Sequence, residues 1–267
     1  MVVTAIKLLA LPATILSALQ GEGRRSAGIA SARLPDALWI SYCRLMTHRP
    51  DAFSIKICGL STPETLEAAL AAGADMIGLN FHPRSPRFVT RERAKELAAM
   101  ARGRAEIVAL VVDFEPHQAA ELAADVEADW VQLHGRETPE QVAAIRAATG
   151  RRVMKALGVA GPADLAVIPA HAAVADLILL DAKPPKDAAY PGGHGKPFDW
   201  SILAELDPGL RFMLSGGLGP ANVADAIRVT RPAGVDVSSG VESAPGVKDI
   251  GRIRDFIAAA RRAAEQL

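Results

Sequence analysis

Cysteine, net charge and long apolar runs are all scarce in this sequence. Two cysteines, Cys43 and Cys58, occur among 267 residues. They make neither a disulfide-scaffold spacing nor a CxxC metal motif, and such usage suits a reducing cytoplasm. Formal net charge is zero, so no global field draws the chain to nucleic acid or to an anionic membrane. The apolar stretch at residues 4–19 is broken by Lys7 and Pro12. It is too short for a transmembrane helix, and its charges are badly placed for a secretory signal. Residues 1–53 carry six Lys/Arg against three Asp/Glu, and Met46 stands just ahead of the first regular pattern. They are expected to form an extension outside the fold, with residues 1–45 disordered or the product of an upstream start. A targeting segment is the alternative.

The remainder alternates regularly. Half of all residues are hydrophobic and 22% are charged, a composition that argues against disorder. Strands are expected at residues 54–58, 75–81, 106–112, 130–134, 152–157, 176–181, 211–214 and 234–237. Short, nearly continuous apolar runs of this kind suit parallel strands buried on both faces. Helices are expected at residues 63–72, 91–102, 116–125, 138–149, 161–169, 199–205, 220–229 and 248–266. Pro63, Pro116, Pro139 and Pro220 stand near helix starts, Thr62 and Thr138 are candidate N-caps, and Gly73 and Gly150 follow helix ends. Eight evenly sized units predict one α/β domain, a single (β/α)8 TIM barrel over residues 54–267, in preference to an open doubly wound sheet.

Two small-residue turns, Ser215-Gly216-Gly217 and Ser238-Ser239-Gly240, end the last two expected strands. Glycine lets backbone N–H groups approach an anion, and a following helix N-terminus adds positive potential. In a barrel this pair of turns is where a phosphate binds, so Gly216, Gly217, Ser239 and Gly240 are candidate phosphate ligands. Either turn alone would pass for an ordinary strand end.

Other chemistry in a barrel sits where strands end. Cys58 closes the first strand and is either a thiolate base or nucleophile, or a buried apolar cysteine. Asp181 ends an apolar run and is either a general acid of raised pKa or a loop cap. His134 fits a base, a substrate hydrogen-bond donor or a core histidine. Arg87 suits a planar carboxylate, unless it is one more solvated arginine beside Arg84, Arg91 and Arg93. Asp236 lies on the eighth strand.

These residues sit in motifs that follow one family's order. They are Lys56-Ile57-Cys58-Gly59, Ser85-Pro86-Arg87-Phe88, Val131-Gln132-Leu133-His134-Gly135, Leu179-Leu180-Asp181, Ser215-Gly216-Gly217-Leu218 and Asp236-Val237-Ser238-Ser239-Gly240-Val241-Glu242. The glycine-rich run from Gly192 to Trp200 belongs with them. The set resembles phosphoribosylanthranilate isomerase over roughly residues 54–262. The resemblance implies an Amadori rearrangement of N-(5-phosphoribosyl)anthranilate in tryptophan biosynthesis, with no metal or organic cofactor. Asp181 would be the general acid and Cys58 the general base. Arg87 would hold the anthranilate carboxylate, with His134 and Asp236 binding or orienting substrate. The implied partner is this small phosphosugar-anthranilate substrate, with no nucleic acid or membrane, in a cytoplasmic monomer or homodimer.

Three features depart from the family pattern: Ser215 and Gly219 around the first turn, His194 in the glycine-rich run, and the N-terminal extension, which has no family counterpart. A histidine-pathway isomerase shares the phosphate turns but uses aspartate on its first strand, so Cys58 speaks against it. A catalytically silent phosphate-binding barrel would have no need of both Cys58 and Asp181.

Overall fold

The computed structural model describes residues 53–183, 192 and 198–267. The expectations for residues 1–52 and for His194 lie outside the described residues. Eight parallel strands close on themselves in chain order. They are β1 Ser54–Cys58, β2 Met76–Asn80, β3 Glu106–Val111, β4 Trp130–Leu133, β5 Arg152–Val159, β6 Leu177–Ala182, β7 Phe212–Leu214 and β8 Gly234–Val237. Closure is made by β1 against β8, with Lys56 level with Asp236.

Because side chains alternate across a strand, the apolar residues divide into two clusters. Ile55, Ile57, Ile77, Leu79, Val131, Leu133 and their equivalents meet the helices, in one cluster. Met76, Val108, Trp130, Met154, Ala156, Leu179 and Met213 fill the lumen, in the other. Both faces of each strand are therefore buried, which explains the continuous apolar runs. At the N-terminal end of the lumen, Glu106 Oε2 accepts from Trp130 Nε1 at 2.6 Å and Oε1 from Arg152 Nη2 at 2.5 Å. The Arg152 guanidinium stacks 4.3 Å from the centre of the Trp130 ring.

The helices that follow the first four strands are capped as their sequences demand. They are α1 Pro63–Ala72, α2 Arg91–Ala101, α3 Pro116–Asp125 and α4 Pro139–Thr149. Thr62 Oγ1 accepts from the Thr65 N–H, and Thr138 and Gln141 form a reciprocal box. Gly73 and Gly150 take left-handed conformations that most side chains resist.

The second half departs from expectation. The helix expected at residues 161–169 divides into a 3-10 turn, Pro162–Val167, and the short α5, Ile168–Ala172. Pro169 has no N–H to continue an α ladder, so the segment cannot run through. The helix expected at residues 199–205 is also 3-10, Trp200–Glu205. Next, α6 runs from Val223 to Thr230 and starts three residues after Pro220. Asn222 explains the delay, because its side chain accepts from the Gly219 N–H at 2.8 Å and donates to the Gly217 carbonyl at 3.0 Å. After β8 comes a single 3-10 turn, Ser239–Val241, and a small hairpin, β9 Glu242–Ala244 with β10 Val247–Lys248, which the sequence patterns did not announce. Last, α7 Ile250–Ala264 packs along α1 and α6. Among the described residues no helix is long and apolar enough to cross a membrane.

Candidate active site

Cys58 is the last residue of β1 and points into the C-terminal end of the lumen, a free thiol that is 5% exposed. Two residues earlier on the same face stands Lys56, fully buried. Its Nζ donates to Asp236 Oδ1 at 2.8 Å, and Ser215 Oγ donates to Asp236 Oδ2 at 3.1 Å. Asp236 thus lies level with Lys56, with both oxygens occupied and little exposure. Burial is the largest influence on Lys56 and pulls its pKa down. The facing Asp236 carboxylate and the Cys58 sulfur outweigh burial, so the net direction is up. For Cys58, burial pushes the thiol up. Lys56 and Lys248 oppose burial without cancelling it, and Asp236 adds to it.

Asp181 sits at the end of β6, 5% exposed. One carboxylate oxygen accepts from the Ala182 N–H at 2.8 Å, the other faces His134 Nε2 at 3.2 Å. Gln132 Nε2 lies 3.2 Å from His134 Nδ1. His134 therefore meets Gln132 through Nδ1 and Asp181 through Nε2. Gln132 Oε1 is buried with no partner among the described residues. Gly192 lies against this pair: a Cβ there would stand 2.7 Å from Asp181 Oδ2 and 2.9 Å from His134 Nε2, so a side chain would have to displace one of them.

The loop bearing His134 is braced from outside the lumen. Lys155 faces the helix layer and donates to Glu137 Oε2 at 2.6 Å and to the Gly135 carbonyl at 2.9 Å. Glu137 in turn accepts from the N–H groups of Asp113 and Gly135. Lys155, near the mouth by its place in the sequence, is therefore a support for the site.

Arg87 is a buried residue. Its Nε and Nη2 donate to the two oxygens of Glu242 at 2.7 and 2.9 Å. Lys248 Nζ donates to Glu242 Oε1 at 2.8 Å and to the Ser238 carbonyl at 2.9 Å. Burial on its own would raise the Glu242 pKa, but Arg87 and Lys248 together hold it below the usual range. Burial also pulls Lys248 down, and Glu242 does not fully offset it. The hairpin that carries these groups abuts the Arg87 loop, since a Cβ on Gly246 would meet the Pro86 carbonyl at 2.4 Å.

The two glycine turns lie side by side. A Cβ on Gly240 would fall 1.8 Å from the Leu218 carbonyl, and one on Gly216 would fall 2.3 Å from the Ala182 nitrogen. Gly216 and Gly217 both have positive φ, 85° and 66°. Ser239 and Gly240 open the 3-10 turn on the facing side. The Ser238 hydroxyl bonds back to the Cys58 carbonyl at 3.1 Å, tying this turn to β1.

The structure therefore gathers Cys58, Asp181, His134, Arg87 and both turns at the C-terminal end of the strands. Sequence reasoning missed the roles of Lys56, Ser215, Glu242 and Lys248 as their partners. Lys56 and Glu242 lie within the motifs quoted above, but Lys56 pairs with Asp236 across 180 residues and Glu242 with Arg87 across 155, so spacing carried no signal for those contacts.

Known proteins are similar to this chain in sequence and in fold. Residues 55–259 match the family model described as N-(5'-phosphoribosyl)anthranilate (PRA) isomerase. The chain is 60% identical over 209 residues to the N-(5'-phosphoribosyl)anthranilate isomerase of Afipia carboxidovorans, spanning 78% of this chain and 89% of that one. It is 58% identical to the enzyme of Azorhizobium caulinodans, spanning 79% and 93%. The phosphoribosyl anthranilate isomerase structure from Thermotoga maritima superposes with a TM-score of 0.72 at 37% identity, over 79% of this chain and 99% of that chain. A structure of such an isomerase in complex with reduced 1-(o-carboxyphenylamino)-1-deoxyribulose 5-phosphate superposes with 0.70 at 34% identity, over the same shares. With the barrel, the thiol and carboxylate at its mouth and the paired glycine turns already in place, these matches are decisive: the chain belongs to the N-(5'-phosphoribosyl)anthranilate isomerase family.

Proposed function

We propose that this chain converts N-(5-phosphoribosyl)anthranilate to 1-(2-carboxyphenylamino)-1-deoxyribulose 5-phosphate with Asp181 as general acid and Cys58 as general base. The observation that carries these assignments is the placement of a thiol and a carboxyl group on β1 and β6, three strands apart in the closed barrel, both facing one mouth. Asp181 gives a proton to the furanose ring oxygen as the nitrogen lone pair opens the ring. The C1–O bond breaks and a protonated Schiff base forms. That cation draws electrons from C2, so the Cys58 thiolate can take the C2 proton. The resulting enolamine becomes the ketone by gaining a proton at C1 and losing the one on its C2 oxygen. Proton transfers of this kind supply about 10²–10⁴-fold each, and positioning must supply much of the rest.

In this proposal the phosphate lies on the N–H groups of Gly216, Gly217, Ser239 and Gly240. Arg87, held rigid through two of its five donors by Glu242, meets the anthranilate carboxylate. His134 orients Asp181, and Asp236 acts from beneath the site. All these groups come from one chain, so monomer and homodimer serve equally. The base must be a reduced thiol, which a cytoplasmic location maintains.

The test is loss of anthranilate-adduct fluorescence when the purified chain meets freshly made phosphoribosylanthranilate. Rapid decay is expected; no decay above the blank would overturn the assignment.

A further inference from the structure

Lys56 takes no part in the steps above, yet it is among the largest side chains with no exposure at all. It pairs with Met76, one of the apolar residues, with Val108, Met154, Leu179 and Met213, that fill the lumen. A methionine would fill such a place without burying a charge, and buried ion pairs are weak contributors to stability. Packing alone does not explain an ammonium here.

Its position does. Lys56 and Cys58 are two residues apart on one face of β1. Gly78 of β2 pairs with Cys58, and a Cβ built on it would lie 2.9 Å from Cys58 Sγ and 3.2 Å from Lys56 Nζ. The ammonium and the sulfur converge on one point, and the missing side chain leaves the space between them open. Asp236, itself held by Ser215, fixes the ammonium from the far side.

We propose that Lys56 is a positioning residue of the isomerisation: clamped by Asp236, its ammonium stabilises the Cys58 sulfur as the thiolate that removes the C2 proton. This rests on Cys58 being the base. Among the described residues, the charged groups around Cys58 are Lys56 on β1, Asp236 on β8 and Lys248 on β10, with Arg87, packed on Gly59, and Glu242 on β9 beyond them. Of these, Lys56 exerts the strongest downward pull on the thiol and Asp236 an upward one. The two variants Lys56→Met and Asp236→Asn should therefore move it in opposite directions, a pattern general damage would not give.

Two pH profiles test this on the full chain. One is the thiolate ultraviolet absorbance, with the Cys58→Ser signal subtracted to remove Cys43 and the tyrosines. The other is the acid limb of kcat/KM. Lys56→Met should raise both midpoints by about one pH unit or more, and lower kcat at pH 7 by at least about tenfold with KM within about threefold. Asp236→Asn should lower the thiolate midpoint. Should the unpaired Asp236 prevent Lys56→Met from folding, Lys56→Met/Asp236→Asn leaves no orphan charge and should still shift upward, by less. An unmoved thiolate midpoint in whichever Lys56 variant folds overturns the proposal and leaves Cys58 standing as the base. A thiolate midpoint that moves while the kcat/KM limb stays put overturns Cys58 as the base, and the role of Lys56 with it.

Discussion

The two ends of the barrel lumen are both lined by charge, but they handle it differently. At the N-terminal end, Glu106, Trp130 and Arg152 come from adjacent strands and lie at most 46 residues apart. Arg152 and Glu106 keep about a third and a quarter of their side-chain surface, 33% and 27%, in contact with solvent. At the C-terminal end, Lys56 reaches Asp236 across 180 residues and Arg87 reaches Glu242 across 155. None of these four side chains is more than 5% exposed. Half-solvated pairs between neighbours add little and cost little. Fully buried pairs between distant segments carry a large desolvation penalty, and here they surround the thiol. The costly charges are gathered at the end where the chemistry is, and the inexpensive ones plug the other end.

Substitutions at each end should separate them, beginning with the greatest effect. Cys58→Ser and Asp181→Asn are each expected to lower kcat by about 10²–10⁴-fold with modest change in KM, while the urea midpoint barely moves. A large KM rise with kcat intact would make them binding residues. Glu242→Gln should cost about 3–5 kcal/mol in urea unfolding, because it removes the carboxylate charge that faces the buried Arg87 and Lys248 cations. The wild-type contribution is present above the ordinary glutamate range and lost as pH falls through the depressed Glu242 pKa. The gap between wild type and variant should therefore narrow in acid. A cost below about 1 kcal/mol would erase the contrast between the ends.

Gly216→Ala should raise KM by about tenfold or more, equivalent to about 1.4 kcal/mol of phosphate binding. Its new methyl would strike the Ala182 backbone from a left-handed conformation, and an unchanged KM would remove that turn from the phosphate site. Arg152→Ala, at the far end, is expected to cost only about 1 kcal/mol and to leave kcat within about twofold. A tenfold fall in kcat there would mean the plug is coupled to catalysis.

What the sequence made legible was local. β1 and β8 fall at the expected residues, as do α1 and α3, because apolar runs, prolines and caps act over a few positions. The segment at 161–169 failed, since the pattern was helical but Pro169 forbade one continuous helix. Cys58, Asp181, Arg87 and His134 were singled out from strand ends and motif order, and the structure brings them to one end of the barrel. Lys56 and Glu242 were not singled out. Nothing near Lys56 in sequence announces Asp236, and nothing near Arg87 announces Glu242. The hairpin β9–β10 is a few residues long, too short to show alternation.

The pairing of Lys56 with Asp236 also has a consequence for how the chain assembles. The counter-ion of the first strand is delivered by the last strand, 180 residues later. A chain lacking β8 has no Asp236 to offset the buried Lys56 charge, which disfavours burying the first strand before the eighth arrives. Ring closure and completion of the surroundings of Cys58 are then expected in one event, and a fragment ending before β8 is expected to show no activity.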